Sequence, residues 1–184
     1  SAGISNLTNP AVTPADTSLT ATVFNNLRGN TTGTINATNV TTITGNADVV
    51  QTAVTAAGVT NMGGVNVTIG NTHNLTQLKA INAATTGTIT LNSYAVNLTG
   101  GSVSDATTAL GGTFTAAYTG NVTVNDTGVL AVAGLNSLDT LVTGSGVIDI
   151  STVGTLSGDA ADIKTALESG GITGKAGVNA SIGN

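Results

Sequence analysis

The sequence predicts an α/β repeat fold: an elongated solenoid of parallel strands with short helices. An all-β sandwich is the alternative, because Thr/Val-rich strands with Gly/Asn turns suit it as well. Three observations carry the prediction. Residues 45–71 align without a gap on residues 158–184, with 12 of 27 positions identical. Within them Gly64-Val65-Asn66-Val67-Thr68-Ile69-Gly70-Asn71 returns as Gly177-Val178-Asn179-Ala180-Ser181-Ile182-Gly183-Asn184. Internal similarity at a fixed period is the mark of stacked supersecondary units. The apolar residues, finally, are small: 40% of the chain is hydrophobic, yet it holds two Phe, two Tyr and no Trp. Such a core is thin, as in a narrow coil.

The elements follow in order. The opening Ser1-Ala2-Gly3-Ile4-Ser5 recurs at 56–60 and 169–173. A β segment at Ala11-Val12-Thr13 has counterparts at Val67-Thr68, Val122-Thr123 and Ala180-Ser181, which gives a unit of about 55 residues. A short helix comes next. Phe24 and Leu27, Leu78 and Ile81, and Leu135 and Leu138 are each spaced i, i+3 on one helical face. Asp16, Ser18 and Asn74 lie near the helix starts as candidate caps. Thr31-Thr32-Gly33-Thr34-Ile35 then recurs unchanged as Thr85-Thr86-Gly87-Thr88-Ile89, with Gly144-Ser145-Gly146-Val147-Ile148 as a third version. Glycine turns the chain out of the helix and β-branched residues open a strand. Further extended pieces end at Ile43-Thr44-Gly45, Leu98-Thr99-Gly100 and Leu156-Ser157-Gly158. A second helix closes each unit, on Val50, Ala53 and Val54, on Ala106, Ala109 and Leu110, and on Ile163, Ala166 and Leu167. One array thus covers 1–184, with units 1–55, 56–110 and 111–168 and a partial unit 169–184. Each unit reads as two coils of about 27 residues.

The run from Ser1 to Ala53, "SAGISNLTNPAVTPADTSLTATVFNNLRGNTTGTINATNVTTITGNADVVQTA", resembles repeats in very large surface proteins of cyanobacteria and other aquatic bacteria, and in some phage fibres. The resemblance covers most of the chain and is best in its first third. It implies an extracellular or cell-surface location and brings no catalytic residues with it. The middle copy departs from the pattern at Asn92-Ser93-Tyr94, and many acidic positions of the family read Asn here, as at Asn36.

Composition narrows the partners. Charged residues make up 7% of the chain, against about 25% in an average soluble domain. With four Lys+Arg and a net charge of −5, the chain lacks the cation clusters that nucleic acid or an anionic membrane surface would need. Cysteine is absent, which removes disulfide and thiol chemistry and fits an exposed extracellular protein. No run of 18 apolar residues is present to span a bilayer.

No catalytic constellation stands out, and the expected class is non-enzymatic. Ten Asn-X-Ser/Thr sequons occur, and Asn6, Asn30, Asn36, Asn39, Asn74 and Asn97 are the candidate glycosylation sites among them. In a composition this rich in Asn, Ser and Thr, several would arise by chance. His73, the one histidine, reads as a surface-loop residue with no triad partners. Asn125-Asp126-Thr127-Gly128 and Gly158-Asp159-Ala160-Ala161-Asp162 offer oxygen ligands for Ca2+. Neither has an established calcium-loop spacing, and turn or cap roles explain them more simply, so no cofactor is expected.

The expected function is an extracellular structural repeat protein that forms a filament, surface layer or fibre shaft. Its expected partner is itself, in a head-to-tail homopolymer or as part of a longer array. The rival is an adhesin or glycan-binding module on the same scaffold, with Tyr94 and Tyr118 as its aromatic contacts.

Overall fold

In the computed structural model, which describes residues 10–183, alternating apolar and β-branched residues build short strands that run parallel to their neighbours. In chain order the elements are β1 (Ser18–Thr20), α1 (Ala21–Gly29), β2 (Ile35–Asn36), β3 (Thr42–Gly45), α2 (Ala47–Val54), β4 (Val59–Thr60), β5 (Asn66–Ile69), α3 (Leu75–Ala84) and β6 (Ile89–Leu91). They continue with β7 (Leu98–Gly101), α4 (Val103–Leu110), β8 (Val122–Val124), β9 (Gly128–Ala131), α5 (Val132–Leu141), β10 (Ile148–Asp149), β11 (Val153–Gly158), α6 (Ala160–Glu168), β12 (Ile172–Thr173) and β13 (Asn179–Ile182).

The chain forms two compact units. In the first, β1-β3-β5-β6 make a four-stranded parallel sheet, β2 pairs with β4, and α1 packs on α2. Leu19, Ile43, Val67 and Ile89 pair in register across that sheet and are buried with Phe24, Val50 and Ile81. In the second unit, sheets β12-β10-β8-β7 and β13-β11-β9 accompany α4, α5 and α6, with α5 packed on both other helices. Its core includes Leu98, Val122, Leu135, Leu138, Ile148 and Leu156. Burying each such aliphatic side chain stabilises the fold by roughly 1.5–3 kcal/mol.

Hydroxyls close the turns between helices and strands. Thr31 and Thr85, both buried, sit two residues before a glycine and accept that glycine's N–H, Gly33 to Thr31 Oγ1 at 3.0 Å and Gly87 to Thr85 Oγ1 at 2.9 Å. Each hydroxyl also donates across to a neighbouring carbonyl, Thr31 to Pro10 O (3.2 Å) and Thr85 to Val65 O (2.6 Å). Glycine is required at Gly87 because a Cβ there would stand 2.4 Å from Val65 O. Ser169 fills the same role at 3.0 Å from Gly171 N, and its own hydroxyl donates to Asp139 Oδ2.

Several expectations hold at element level. The Thr-Gly-Thr-Ile phrases form β2 and β6, and the Ile43, Leu98 and Leu156 segments form β3, β7 and β11. Helices lie where the i, i+3 pairs placed them, and Asn74 caps α3: its Oδ1 accepts Gln77 N–H, and Gln77 Oε1 accepts Asn74 N–H. At α1 the cap is Thr20, whose hydroxyl accepts Val23 N–H, rather than Asp16 or Ser18. The repeats of the opening segment and Asn6 involve residues 1–9, which lie outside the described residues.

Larger-scale expectations are corrected. Paired strands are offset by 22 residues between Val67 and Ile89, by 24 between Ile43 and Val67 and by 26 between Val122 and Ile148, not by about 27. Halving a 55-residue sequence period misses this, because the backbone ladder and not side-chain identity sets the step. The sandwich alternative fails on the six helices among the described residues and on strand pairs that are parallel. The elongated solenoid and the repeat array are replaced by compact α/β structure: within each unit, helices and sheets pack across elements around a shared aliphatic core. The filament, surface-layer and fibre-shaft function expected from coil stacking is overturned with them. The adhesin rival, which needed the same scaffold, falls too.

Candidate functional site

Sheet β1-β3-β5-β6 has a polar outer face with a regular pattern. Its strands read Ser18-Leu19-Thr20, Thr42-Ile43-Thr44, Asn66-Val67-Thr68 and Thr88-Ile89-Thr90. A period of two sends the central apolar residue into the core and both flanking residues outward. The parallel register then lines them up. Thr20, Thr44, Thr68 and Thr90 pair in one row, and Ser18, Thr42 and Asn66 in a second. Thr88 continues the second row, since its N–H donates to Asn66 Oδ1 at 2.8 Å. Beyond β6, Phe114 bridges Ile89 in parallel, which sets Thr113 and Thr115 beside Thr88 and Thr90. Rows on adjacent strands repeat at about 4.8 Å, and the two rows lie about 6.6 Å apart along the strand.

The ten positions carry Ser, Thr or Asn and no charge. Each is exposed or half-buried. Thr20 Oγ1 serves the α1 cap, whereas Thr42, Thr44, Thr68 and Thr90 use their side chains in no hydrogen bond to the protein among the described residues. Each of these hydroxyls presents one donor and two acceptor sites outward. Threonine is also stiff at χ1, so the rows are ordered before anything binds.

The second unit supplies a contrast. Thr99, Thr123 and Thr173 align across β7, β8 and β12, but Asp149 of β10 interrupts the row and spends Oδ1 on Ser151 N–H. In the same unit a cavity of about 390 Å³ lies along α4 and α5, lined by Val103, Thr107, Asp126, Leu130 and Gly134 among others. Asp126 Oδ2 accepts Val103 N–H at 2.7 Å, at the first turn of α4. Thr107 returns its hydroxyl to Val103 O. The polar groups of this groove thus serve the helix.

Ionisable groups likewise have structural work. Asp105 closes a capping box with Ser102 and pairs with Lys79. Lys79 first, then the Ser102 N–H and hydroxyl, hold its carboxyl down at about 2. Lys164 pairs with Glu168 one helical turn away, Lys175 donates to the carbonyls of Leu167 and Ser169, and Arg28 donates to the carbonyls of Ala57 and Thr31. His73 corrects its sequence reading. It is 3% exposed, not a surface-loop residue, and burial lowers its pKa. Tyr118 is buried as well, with its hydroxyl on Val96 O at 2.5 Å and its pKa pushed well above the usual value by desolvation. It therefore presents no aromatic face to a glycan.

The candidate glycosylation sites are scattered. Asn30 and Asn39 donate Nδ2, the atom a glycan would occupy, to Asn26 O and Pro14 O. Asn36 Oδ1 accepts from Asn61 Nδ2 and Thr38 N, Asn74 caps α3, and Asn97 Oδ1 accepts from Asn121 N–H. Asp126 and Asp159 of the calcium candidates sit at the starts of α4 and α6, and among the described residues no three His, Cys, Asp or Glu side chains gather to hold a metal. Sequence reading missed the threonine rows, although Thr-Ile-Thr at 42–44 and 88–90 was visible; only the register shows that they align. Comparison with known proteins finds no matching family model, curated protein or solved structure.

Proposed function

We propose that this chain is a non-enzymatic binding domain that works outside the cell and meets its ligand with the outer face of sheet β1-β3-β5-β6. The in-register threonine rows carry this reading. Uncharged hydroxyls at a fixed repeat match a ligand that is itself periodic, such as a solid surface, better than a single small molecule. The non-enzymatic assignment draws on the structural employment of Asp105, Asp126, Asp139 and Asp149, each held by a neighbouring backbone or side-chain group. A cysteine-free, lysine-poor chain supports the extracellular setting, as does the resemblance to bacterial surface proteins.

The test is co-sedimentation of the purified chain with crystalline chitin, crystalline cellulose and an ice slurry. Retention on at least one solid is expected, lost in Thr44→Lys/Thr68→Lys and kept in Thr123→Lys. Failure to bind any of the three, or binding that ignores the double variant, overturns the reading.

A further inference from the structure

We infer that the periodic ligand is ice: the threonine rows on β1, β3, β5 and β6, continued by Thr113 and Thr115, form an ice-binding face. This rests on the proposed role of the same face as a binding surface. Four observations lead to crystalline water. The repeat across the strands, about 4.8 Å, is imposed by the backbone ladder and does not depend on side-chain freedom. It approaches the oxygen repeat along one axis of hexagonal ice, and the second row supplies a repeat in the perpendicular direction. Thr42, Thr44, Thr68 and Thr90 each offer water both a hydroxyl, which can take a lattice position, and a methyl group, which disfavours disordered hydration next to it. Thr42, Thr44, Thr68 and Thr90 keep these hydroxyls out of protein hydrogen bonds among the described residues. Charge, which would hold a hydration shell incompatible with a lattice, is absent from the ten positions.

Stiffness adds to the fit. A β-branched side chain on a strand loses little rotamer freedom on binding, so ordering costs stay small. A crystalline polysaccharide is the weaker candidate, since sugar rings stack on exposed aromatics. Phe24 is fully buried, and Phe114, between Thr113 and Thr115, is half-buried beside Ile89.

The experiment measures ice recrystallisation inhibition and uptake of fluorescently labelled protein into a growing ice hemisphere. The chain as it stands is expected to slow recrystallisation and enter the ice. Thr44→Lys/Thr68→Lys should lose about tenfold in potency, and Thr68→Ser, which keeps the hydroxyl, should lose less. Thr123→Lys, on the interrupted row, should match the unmodified chain. Circular dichroism and thermal melting establish that each variant is folded; a misfolded double variant is replaced by Thr68→Val, which removes the hydroxyl at nearly constant volume. Ice activity that is absent, or equal in the double variant, overturns the inference. If chitin or cellulose is bound through Thr44 and Thr68 while ice is not, the ice assignment falls and the binding face stands. If no solid is bound, both fall.

Discussion

Thr85 shows how one side chain can decide a turn. Its hydroxyl donates to Val65 O and accepts from Gly87 N–H in a buried setting. Thr85→Val keeps the shape and leaves both groups without that partner, which should cost about 1–3 kcal/mol. In urea unfolding the midpoint should fall with little change in slope. Gly87→Ala should cost about 1–3 kcal/mol by overpacking, because the new Cβ meets backbone that has little room to move. Gly64→Ala, with nothing within 4 Å, is the matched control. His73 yields a pH prediction. Burial favours its neutral form, so its folded pKa lies below the ordinary 6.5. Its contribution is therefore full above pH 6.5 and declines as pH falls below it, where the unfolded chain takes up the proton more readily. Urea midpoints measured from neutral to mildly acid pH should fall, and His73→Gln should flatten that stretch of the profile. Asp105 acts in a lower window: its folded pKa is depressed, so its contribution is present above 3.8 and lost as pH drops through about 2.

Among the elements, two helices, α2 and α4, draw on residues far along the chain. The first amide of α2, on Ala47, donates to Asn71 Oδ1 at 2.8 Å, and that of α4, on Val103, donates to Asp126 Oδ2. These carboxamide and carboxylate oxygens satisfy amides that a helix cannot pair internally. Asn25 and Asn136 add contacts between helices, from α1 to Val49 O of α2 and from α5 to Asp162 O of α6. Asn71→Ala should cost about 1 kcal/mol, the usual worth of a cap, and show first as faster amide exchange in the opening turn of α2. Exchange in α4 should stay unchanged, since its acceptor is Asp126. A sequence rule that looks for a cap immediately before the helix cannot see either partner. At Asn46 and α2 the local residue makes no side-chain cap bond at all.

For the whole molecule, local pattern was legible and arrangement was not. Ile35 and Ile89 were correctly placed at strand starts because Gly followed by β-branched residues has few other uses. Phe24, Leu78, Ile81, Leu135 and Leu138 were correctly placed in the core by helical spacing. Periodicity also pointed to parallel neighbours, but it does not determine how helices and sheets close around a core, and the elongated solenoid was the outcome. His73 was misread because a polar neighbourhood in sequence, Asn71 to Asn74, says nothing about which side chain turns inward. The threonine rows needed the ladder as well as the residues, since a one-residue slip would send every hydroxyl to the opposite face.

The long-range caps also impose an order in time. On a ribosome, Ala47 emerges 24 residues before Asn71, and Val103 emerges 23 residues before Asp126. At about 5–20 residues per second, each helix start waits roughly 1–5 s for the oxygen that completes it. During that interval α2 is held by its own weak propensity and by α1 behind it. For α2 and α4, synthesis therefore runs ahead of the cap: when either helix emerges, the oxygen that completes its first turn has still to be made.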